Sequence, residues 1–440
     1  MEGLIMTAQI LLSLSILVAV HEMGHLLAAK YFGMRVEEFS IGFPPKIFKF
    51  KKGETEYALS AIPLGGYVKI SGMIDESLDT EKLKQDPEPW EFRSKPAWQR
   101  LIVMLGGIFV NVVVGVLIFI SLTYLMGDAY ISKDEVNNKG GIHALELGQQ
   151  IGLQTGDKII RINGQDFDDF QQIFNPDVLL SSNAYYTVDR KGAIIDIPIP
   201  GNFIEYFNDK ETAGKFIFMR FPAVIGQVLP GSMAERLGLQ AGDRFVEVDG
   251  QAVNFHDEVA ALVKAEKRDS ISFIIAREGE LLTFNEAFES EQLIGYAPQA
   301  PDLKEAAIDY GLGESIVLGT ERAFGIVFLQ LKAFSKIFRG ELSLKKSLAG
   351  PIGIAQAYGG NWDWQRFWRM TGLLSMVLAF MNLLPIPALD GGHVMFLSFE
   401  MLSGRKPSDK FLEVAQKAGM IFLLTLMVFI FANDIMRLFA

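Results

Sequence analysis

Residues 20–25 read Val20-His21-Glu22-Met23-Gly24-His25, and they end an apolar run that begins at Gly3. On a helix, His21 and His25 lie about one turn apart on the same face, so both imidazoles can bind one metal ion. Glu22 lies beside them and can act as general base for a water molecule on that metal. The pattern predicts two ligands and the base of a hydrolytic zinc site.

The surroundings of this motif are apolar. Glu22 is the only charged residue between Gly3 and Ala29. Burying an ionisable group in lipid costs about 2.5–3.5 kcal/mol even on translocon-insertion scales, which give the lowest values. A carboxylate between two intramembrane histidines is therefore expected to have a function. The alternative is a pair of hydrogen-bonded core histidines in a polytopic membrane protein.

The composition favours a membrane protein. Half of the 440 residues are hydrophobic, and the mean hydropathy is +0.23. Cysteine is absent, which excludes disulfides and thiolate ligands, so any metal must be held by His, Asp or Glu. The net charge of −11 argues against a nucleic-acid partner, because no basic excess is present to neutralise phosphates.

Long apolar runs predict four transmembrane helices, since a hydrocarbon core about 30 Å thick needs roughly 20 helical residues. The predicted helices cover residues 1–30, 98–127, 365–392 and 415–438. No Lys or Arg precedes the first run, and the run continues into the His-Glu motif instead of a small-residue cleavage site. We therefore expect it to stay attached rather than to be removed as a signal peptide.

Basic residues predict the orientation in the membrane. Residues 1–29 contain no Lys or Arg, whereas the segment from Lys30 to Arg100 contains twelve. By the positive-inside rule, the segment between the first two helices is cytoplasmic and the N-terminus lies outside. The other segments follow by alternation: cytoplasmic loops at 31–97 and 393–414, outer modules from 128 onward, and amphipathic helices on the outer membrane face at 301–364.

A β-hairpin is predicted in the first cytoplasmic loop. Two short β-runs at 46–50 and 55–60 flank Lys51-Lys52-Gly53-Glu54, with glycine at the tight position. Two interpretations stay open. It is an ordinary surface hairpin, or its edge lies near the metal and pairs with an extended peptide.

The outer segment contains an internal repeat. Residues 152–165 align without gaps with residues 238–251, at an offset of 86, and seven of the fourteen positions are identical. Each copy has a Gly-Asp turn, a short β-run and a second glycine turn, which predicts two small β-rich modules. We place them at 128–220 and 221–300.

The second module resembles a PDZ domain closely, because Pro-Gly-Ser-Met-Ala precedes its Gly-Asp turn, and the first resembles one more loosely. PDZ domains bind an extended peptide beside an edge strand. Two rigid spacers or size filters without a ligand are the alternative. His143 and His256 belong to these modules, and we expect them to be unrelated to the metal.

A catalytic zinc usually has three protein ligands and one open position, so the third ligand must come from elsewhere. The best source is the segment Asn382-Leu383-Leu384-Pro385-Ile386-Pro387-Ala388-Leu389-Asp390-Gly391-Gly392-His393. Its prolines break a helix, which is tolerated only inside protein or beside a watery cavity. Asp390 is the predicted third ligand, and His393 is a competitor.

These motifs together resemble the site-2 protease family over essentially the whole chain. The resemblance implies that His21, His25 and Asp390 bind Zn²⁺, that Glu22 is the catalytic acid/base, and that Asn382 helps to hold the substrate or the developing oxyanion. The implied fold is a polytopic α-helical membrane protein with four transmembrane helices, a membrane-associated β-hairpin and two tandem PDZ-like α/β modules.

The same resemblance implies substrate-contacting residues. The hairpin, with Tyr57, Ala58 and Leu59, corresponds to a membrane-associated β-loop that supports an unwound substrate. Asn111 ends a G-x-x-x-N motif that begins at Gly107 in the second predicted helix. Helix packing explains that motif equally well.

The implied function is zinc-dependent proteolysis inside the bacterial inner membrane, with the N-terminus and the PDZ-like modules on the periplasmic side. The implied substrates are transmembrane segments of single-span proteins that an upstream site-1 protease has shortened on the outer side. They include an anti-sigma factor in envelope-stress signalling and remnant signal peptides. Two rivals are a metal-binding transporter or sensor and a membrane scaffold with a structural metal. Glu22 weighs against the transporter, because holding zinc needs no unligated carboxylate.

Overall fold

A computed structural model describes residues 1–73, 86–181, 183–208, 210–264, 270–287, 293–343, 345 and 350–439. The chain divides into two compact units. The helical unit comprises Met1–Asp128 and Asp309–Ala440, and the insert unit comprises Ala129–Ile308. Residues 74–85, which belong to the predicted cytoplasmic loop at 31–97, lie outside the described residues.

The helical unit consists of long helices and one sheet. Its helices are α1 (Glu2–Tyr31), α2 (Ala97–Met126), α9 (Leu312–Phe338), α10 (Pro351–Tyr358), α11 (Trp364–Leu383), α12 (Asp390–Ser403) and α13 (Asp409–Phe439), with a 3-10 turn at Phe92–Ser94. Three helices in the described part of the chain are long and apolar enough to cross a membrane: α1, α2 and the Lys410–Met436 part of α13. The fourth span stays a prediction.

The segment predicted as one span over 365–392 forms two helices. α11 ends at Leu383, and α12 begins at Asp390. Pro385 and Pro387 lack a backbone N–H and cannot continue a helix, which is why α11 stops before them. The break that the prolines predict therefore lies inside the range 365–392 that the sequence assigns to the third transmembrane helix.

The sheet of the helical unit is larger than the predicted hairpin. β1 (Val36–Lys52) and β2 (Thr55–Ile70) both bend, so that each contributes two segments. The order across the sheet is 46–52, 55–60, 38–41 and 66–70. One bend lies at Gly42, whose φ of +88° favours glycine and where a Cβ would lie 2.8 Å from the Ser60 carbonyl oxygen. Segment 66–70 is thus an edge of the sheet.

Small residues set the distances between the helices. A Cβ on Gly24 in α1 would lie 2.2 Å from the carbonyl oxygen of Gly106 in α2, so these two backbones touch. Leu26, Val36, Val103 and Leu397 share one hydrophobic core, which joins α1, the sheet, α2 and α12. This core holds α1, α2 and α12, which carry the His21/His25 pair, the G-x-x-x-N motif and Asp390, at fixed positions relative to each other.

Helix α9 packs lengthwise against two other helices. A Cβ on Gly319 would lie 2.5 Å from the Cα of Ile120 in α2, and the ring of Phe334 lies 5.8 Å from that of Phe380 in α11. The sequence predicts amphipathic helices over 301–364, and α9 and α10 fall within that range. Their location on the outer membrane face stays a prediction.

The insert unit is β-rich. Its strands are β3 (Asp128–Ile131), β4 (Ile142–Ala144), β5 (Lys158–Ile162), β6 (Tyr185–Arg190), β7 (Ala193–Pro198), β8 (Ile217–Met219), β9 (Ile225–Val228), β10 (Arg244–Val248), β11 (Gln251–Ala252), β12 (Ser270–Arg277), β13 (Glu280–Ala287), β14 (Tyr296–Pro298) and β15 (Glu305–Ile308). Its helices are α3 (Lys133–Asn138), α4 (Glu146–Gln150), α5 (Pro176–Leu179), α6 (Lys210–Ala213), α7 (Met233–Arg236) and α8 (His256–Lys264), with 3-10 turns at Phe170–Phe174 and Phe203–Asn208.

Two separate hydrophobic cores, one between 136 and 217 and one between 223 and 294, lie within the two predicted modules. Their PDZ-like character stays a prediction.

Both copies of the repeat make the same contacts. Asp157 accepts hydrogen bonds from the Gln154 backbone N–H and from the Arg190 guanidinium, and Asp243 accepts from the Gln240 N–H and from Arg277. Each arginine also donates to the carbonyl of a glycine, Gly152 or Gly238. In each copy, the aspartate of the Gly-Asp turn and the glycine five residues before that aspartate therefore hold an arginine of a β-hairpin.

We expect Arg277→Ala to destabilise the second module, because Asp243 is only 1% exposed and would lose its charged partner. Burial raises the pKa of Asp243, but hydrogen bonds from Arg277 and the Gln240 N–H outweigh it and hold that pKa below its usual range. The contribution is thus present at neutral pH and is lost as the pH falls below about 4. Faster hydrogen exchange of β10 and β12 amides in the full chain would show the loss.

The matched control is Arg190→Ala in the first module. It should speed exchange of β5 and β6 and leave β10 and β12 unchanged. Unaltered exchange of β10 and β12 in Arg277→Ala would contradict the assigned role of the ion pair.

Candidate metal centre

Helix α1 brings His21, Glu22 and His25 to one cleft. The Nε2 atoms of His21 and His25 lie 3.2 Å apart, as the four-residue spacing predicted. Glu22 lines the same cleft as Val68 of β2, and a Cβ on Gly66 of that strand would lie 3.5 Å from the Cγ of Glu22. A single helix thus presents two nitrogen ligands and a carboxylate.

Asp390, the first residue of α12, completes the group. Its Oδ2 lies 3.1 Å from Nε2 of His21 and 3.3 Å from Nε2 of His25. The two following glycines permit this position: a Cβ on Gly391 would lie 2.1 Å from the Leu384 carbonyl oxygen, and one on Gly392 would lie 2.7 Å from that of Ile386. The chain can fold back on itself after the break only because these residues have no side chain.

The three atoms fit a tetrahedral zinc ion. With ligand bonds of about 2.0–2.1 Å, tetrahedral geometry places neighbouring ligand atoms about 3.3 Å apart, and the observed separations are 3.1–3.3 Å. Buried Oδ2 of Asp390 has no hydrogen-bond partner among the residues that the structure describes. A buried carboxylate oxygen without a donor and two converging imidazole nitrogens are what a shared cation requires.

The other nitrogen of each imidazole faces α2. His25 Nδ1 lies 2.8 Å from the carbonyl oxygen of Val103, which can only accept, so Nδ1 carries the proton and Nε2 keeps its lone pair. Such outer contacts orient metal-binding histidines. His21 Nδ1 lies 3.2 Å from the side-chain amide of Asn111.

The cleft has a volume of about 640 Å³. One wall is the edge segment of β2, from Gly65 to Ile70, and another contains Asn382, whose Nδ2 is 3.4 Å from His21 Nε2. His393 also lines the cleft, but the group of candidate ligands in the described part of the chain consists of His21, His25 and Asp390. Of the two competitors for the third position, the structure therefore favours Asp390.

Several predicted substrate-binding residues lie elsewhere. Tyr57, Ala58 and Leu59 form the interior of the sheet, where segments 39–41 and 48–50 pair with them on both sides. They do not line the cleft. The two-segment hairpin predicted from sequence left one side of these residues free, but the bend at Gly42 brings segment 38–41 against it. The free edge beside His21, His25 and Asp390 is 66–70, and no pattern in the sequence indicates it.

The histidines of the insert unit have local partners. His143 Nδ1 lies 3.1 Å from the Thr155 hydroxyl, and His256 Nδ1 lies 2.9 Å from the Tyr296 hydroxyl. Burial lowers the pKa of both imidazoles, so they are neutral near pH 7. Neither belongs to the candidate ligand group among the described residues.

Similarity to known proteins extends over almost the whole chain. The model of peptidase family M50 matches residues 9–426. A regulator of sigma E protease from Haemophilus influenzae is 30% identical, with 97% of this chain and 98% of that protein covered. The regulator of sigma-E protease of Escherichia coli is 28% identical with 98% of both covered, and a Vibrio cholerae protein that carries a zinc metalloprotease name is 28% identical with 97% and 98% covered.

A match of this extent decides against the transporter and scaffold interpretations, because the matched family is defined by peptidases. The chain belongs to peptidase family M50, the site-2 proteases, and is a zinc-dependent metalloendopeptidase.

Proposed function

We propose that His21, His25 and Asp390 hold the catalytic zinc and that Glu22 is the general acid/base of peptide-bond hydrolysis. The observation that carries the proposal is the triangle of ligand atoms, 3.1–3.3 Å on each side, in a cleft that Glu22 also lines. When bound, zinc supplies a Lewis acid that lowers the pKa of a water molecule to about 7 and polarises the scissile carbonyl.

Glu22 and Asn382 supply the other parts of the reaction. Glu22, next to His21 on α1, takes the proton of the attacking water and passes it to the leaving amine. Asn382 is the penultimate residue of α11, and its amide lies 3.4 Å from His21 Nε2. From there it donates a hydrogen bond to the oxygen on which negative charge develops.

The edge segment 66–70 is the proposed support for the substrate. A helical substrate hides its carbonyls in its own hydrogen bonds, so the scissile segment must unwind before it is cut. Segment 66–70 pairs with 38–41 on one side and lines the cleft together with Glu22, and a Cβ on Gly66 would lie 3.5 Å from the Cγ of Glu22. An extended peptide added to that free edge would pass directly beside the general base.

The cellular role follows from the relatives. Several are named regulators of sigma-E proteases, and the chain has apolar helices of membrane-spanning length. We assign to it the bacterial inner membrane, with the N-terminus and the insert unit on the periplasmic side. Its substrate is the transmembrane segment of a single-span anti-sigma factor that a site-1 protease has already shortened outside, and remnant signal peptides are further candidates.

Reconstitution tests this function. We expect the full chain, in liposomes, to cut a single-span model substrate with a short outer tail at least about tenfold faster than the same substrate with a folded outer domain. A zinc chelator should stop cleavage, and added zinc should restore it. Equal cleavage of both substrates would contradict the requirement for prior shortening. Cleavage that resists the chelator would contradict the zinc mechanism.

A further inference from the structure

Three positions of α2 face the two histidines of α1. Val103, Gly107 and Asn111 are spaced four residues apart, so they lie on one face of the helix. The carbonyl of Val103 contacts His25, and the side chain of Asn111 contacts His21. Helix α2 thus has one hydrogen-bonding group for each imidazole.

Gly107, between these two positions, leaves room for the imidazoles. A Cβ there would lie 2.4 Å from His25 Nε2 and 2.6 Å from His21 Cε1. Both rings therefore lie directly against the backbone of α2. Their orientation is determined by contacts with that helix as well as by α1.

Asn111 is enclosed and has one amide atom without a partner. Its side chain is 1% exposed and does not line the cleft, so the predicted contact with substrate is not what the structure shows. The Nδ2 atom faces His21 Nδ1, while the buried Oδ1 has no partner among the described residues. Its backbone carbonyl accepts from the Ser375 hydroxyl at 2.7 Å, which fixes α2 against α11.

The orientation of the amide decides which nitrogen of His21 is protonated. If Nδ2 donates to Nδ1, a neutral imidazole carries its proton on Nε2, the atom that faces Asp390, and that atom cannot bind a metal. A half-turn of the amide exchanges its oxygen and nitrogen. The oxygen then accepts from His21 Nδ1–H, and the Nε2 lone pair is free, as it is in His25.

We propose that Asn111 is a positioning residue whose amide oxygen holds His21 in the tautomer with the proton on Nδ1, so that Nε2 can bind zinc. This inference rests on the proposed function, in which His21, His25 and Asp390 are the zinc ligands. It explains why glycine and asparagine stand four residues apart in α2. The glycine admits the two rings, and the asparagine orients one of them.

The test compares Asn111→Leu, which removes the acceptor at similar volume, with Asn111→Asp, which keeps an acceptor oxygen. Zinc affinity of each purified full-length variant is measured by competition with a chelator, and the cobalt-loaded proteins are compared by their absorption spectra. We expect Asn111→Leu to bind zinc about 10- to 100-fold more weakly, with a changed cobalt spectrum. Asn111→Asp should stay within a few-fold of the unaltered protein and keep its spectrum.

The matched control is Ser375→Ala, which removes the hydrogen bond to the Asn111 backbone and leaves its amide in place. It should bind zinc like the unaltered protein. Unchanged zinc affinity in Asn111→Leu would overturn the proposal. Equal losses in Asn111→Leu, Asn111→Asp and Ser375→Ala would also overturn it, because they would indicate helix packing instead of an acceptor role.

Asp390→Ala separates this inference from the function on which it rests. If the unaltered protein binds zinc no more tightly than Asp390→Ala, the assigned ligand set is wrong and both proposals fail. If Asp390→Ala loses zinc while Asn111→Leu retains it in full, the ligand set stands and only the role of Asn111 is refuted.

Discussion

A Glu22→Gln variant should retain its zinc and lose about 10³-fold in kcat on a single-span model substrate. Glutamine has nearly the same shape as glutamate but cannot take a proton from the attacking water. The candidate ligand atoms come from His21, His25 and Asp390, so the metal should be undisturbed. Single-turnover cleavage in liposomes and the zinc content of the purified protein together check this result.

A second variant controls for local disturbance around Glu22. Glu22→Asp keeps the carboxylate but shortens its reach, so we expect an activity between those of Glu22→Gln and the unaltered protein. Cleavage by Glu22→Gln at the unaltered rate would exclude Glu22 as the base. Loss of zinc in the same variant would instead make Glu22 a ligand.

Asp390→Ala should lose both zinc and activity. The carboxylate Oδ2 is the one oxygen in the candidate triangle, and two imidazoles alone provide one ligand fewer than the three protein ligands usual in catalytic zinc sites. We expect a fall in zinc affinity well beyond the roughly 100-fold that loss of an outer contact causes. Added zinc should raise the thermal stability of the unaltered protein and leave that of the variant unchanged, because only a protein that binds the ion gains from it.

Asp363→Ala is a suitable control for Asp390→Ala. Both aspartates stand at the start of a helix, and Asp363 accepts hydrogen bonds from the backbone N–H groups of Gln365 and Arg366 at the start of α11. Its removal should cost about 1 kcal/mol of stability without affecting zinc. Normal zinc binding by Asp390→Ala would contradict the assigned ligand set. His393, which lines the same cleft, would then be the candidate for the third ligand.

The positions of His21, His25 and Glu22 could be predicted because they depend on one helix alone. The periodicity of α1 places the first two on one face whatever the rest of the chain does, and the structure has their Nε2 atoms 3.2 Å apart. Asp390 was predictable for a different reason. The two prolines before it mark a break in an apolar helix, and such breaks in membrane proteins occur beside polar sites.

The sheet was predicted only in part. The local turn at Gly53 indicated that 46–52 would pair with 55–60, and that pairing is observed. The bends that add segments 38–41 and 66–70 depend on contacts between residues distant in sequence, such as that of Gly42 with Ser60. No local pattern encodes them. The resemblance implies a substrate contact for Tyr57, but the fold pairs this residue with a strand segment on each side.

By itself, the sequence determined the placement of His21, Glu22 and His25 on one helix, the break before Asp390, the absence of cysteine and the duplicated Gly-Asp turn. These features arise from local periodicity, backbone chemistry and composition. Only the tertiary structure decided that Asp390, more than 360 residues after His25, meets both imidazoles, and that α2 supports them through Gly107 and Asn111. The reason is that these distances depend on how closely α1, α2 and α12 pack, and side-chain volumes across helices set that packing.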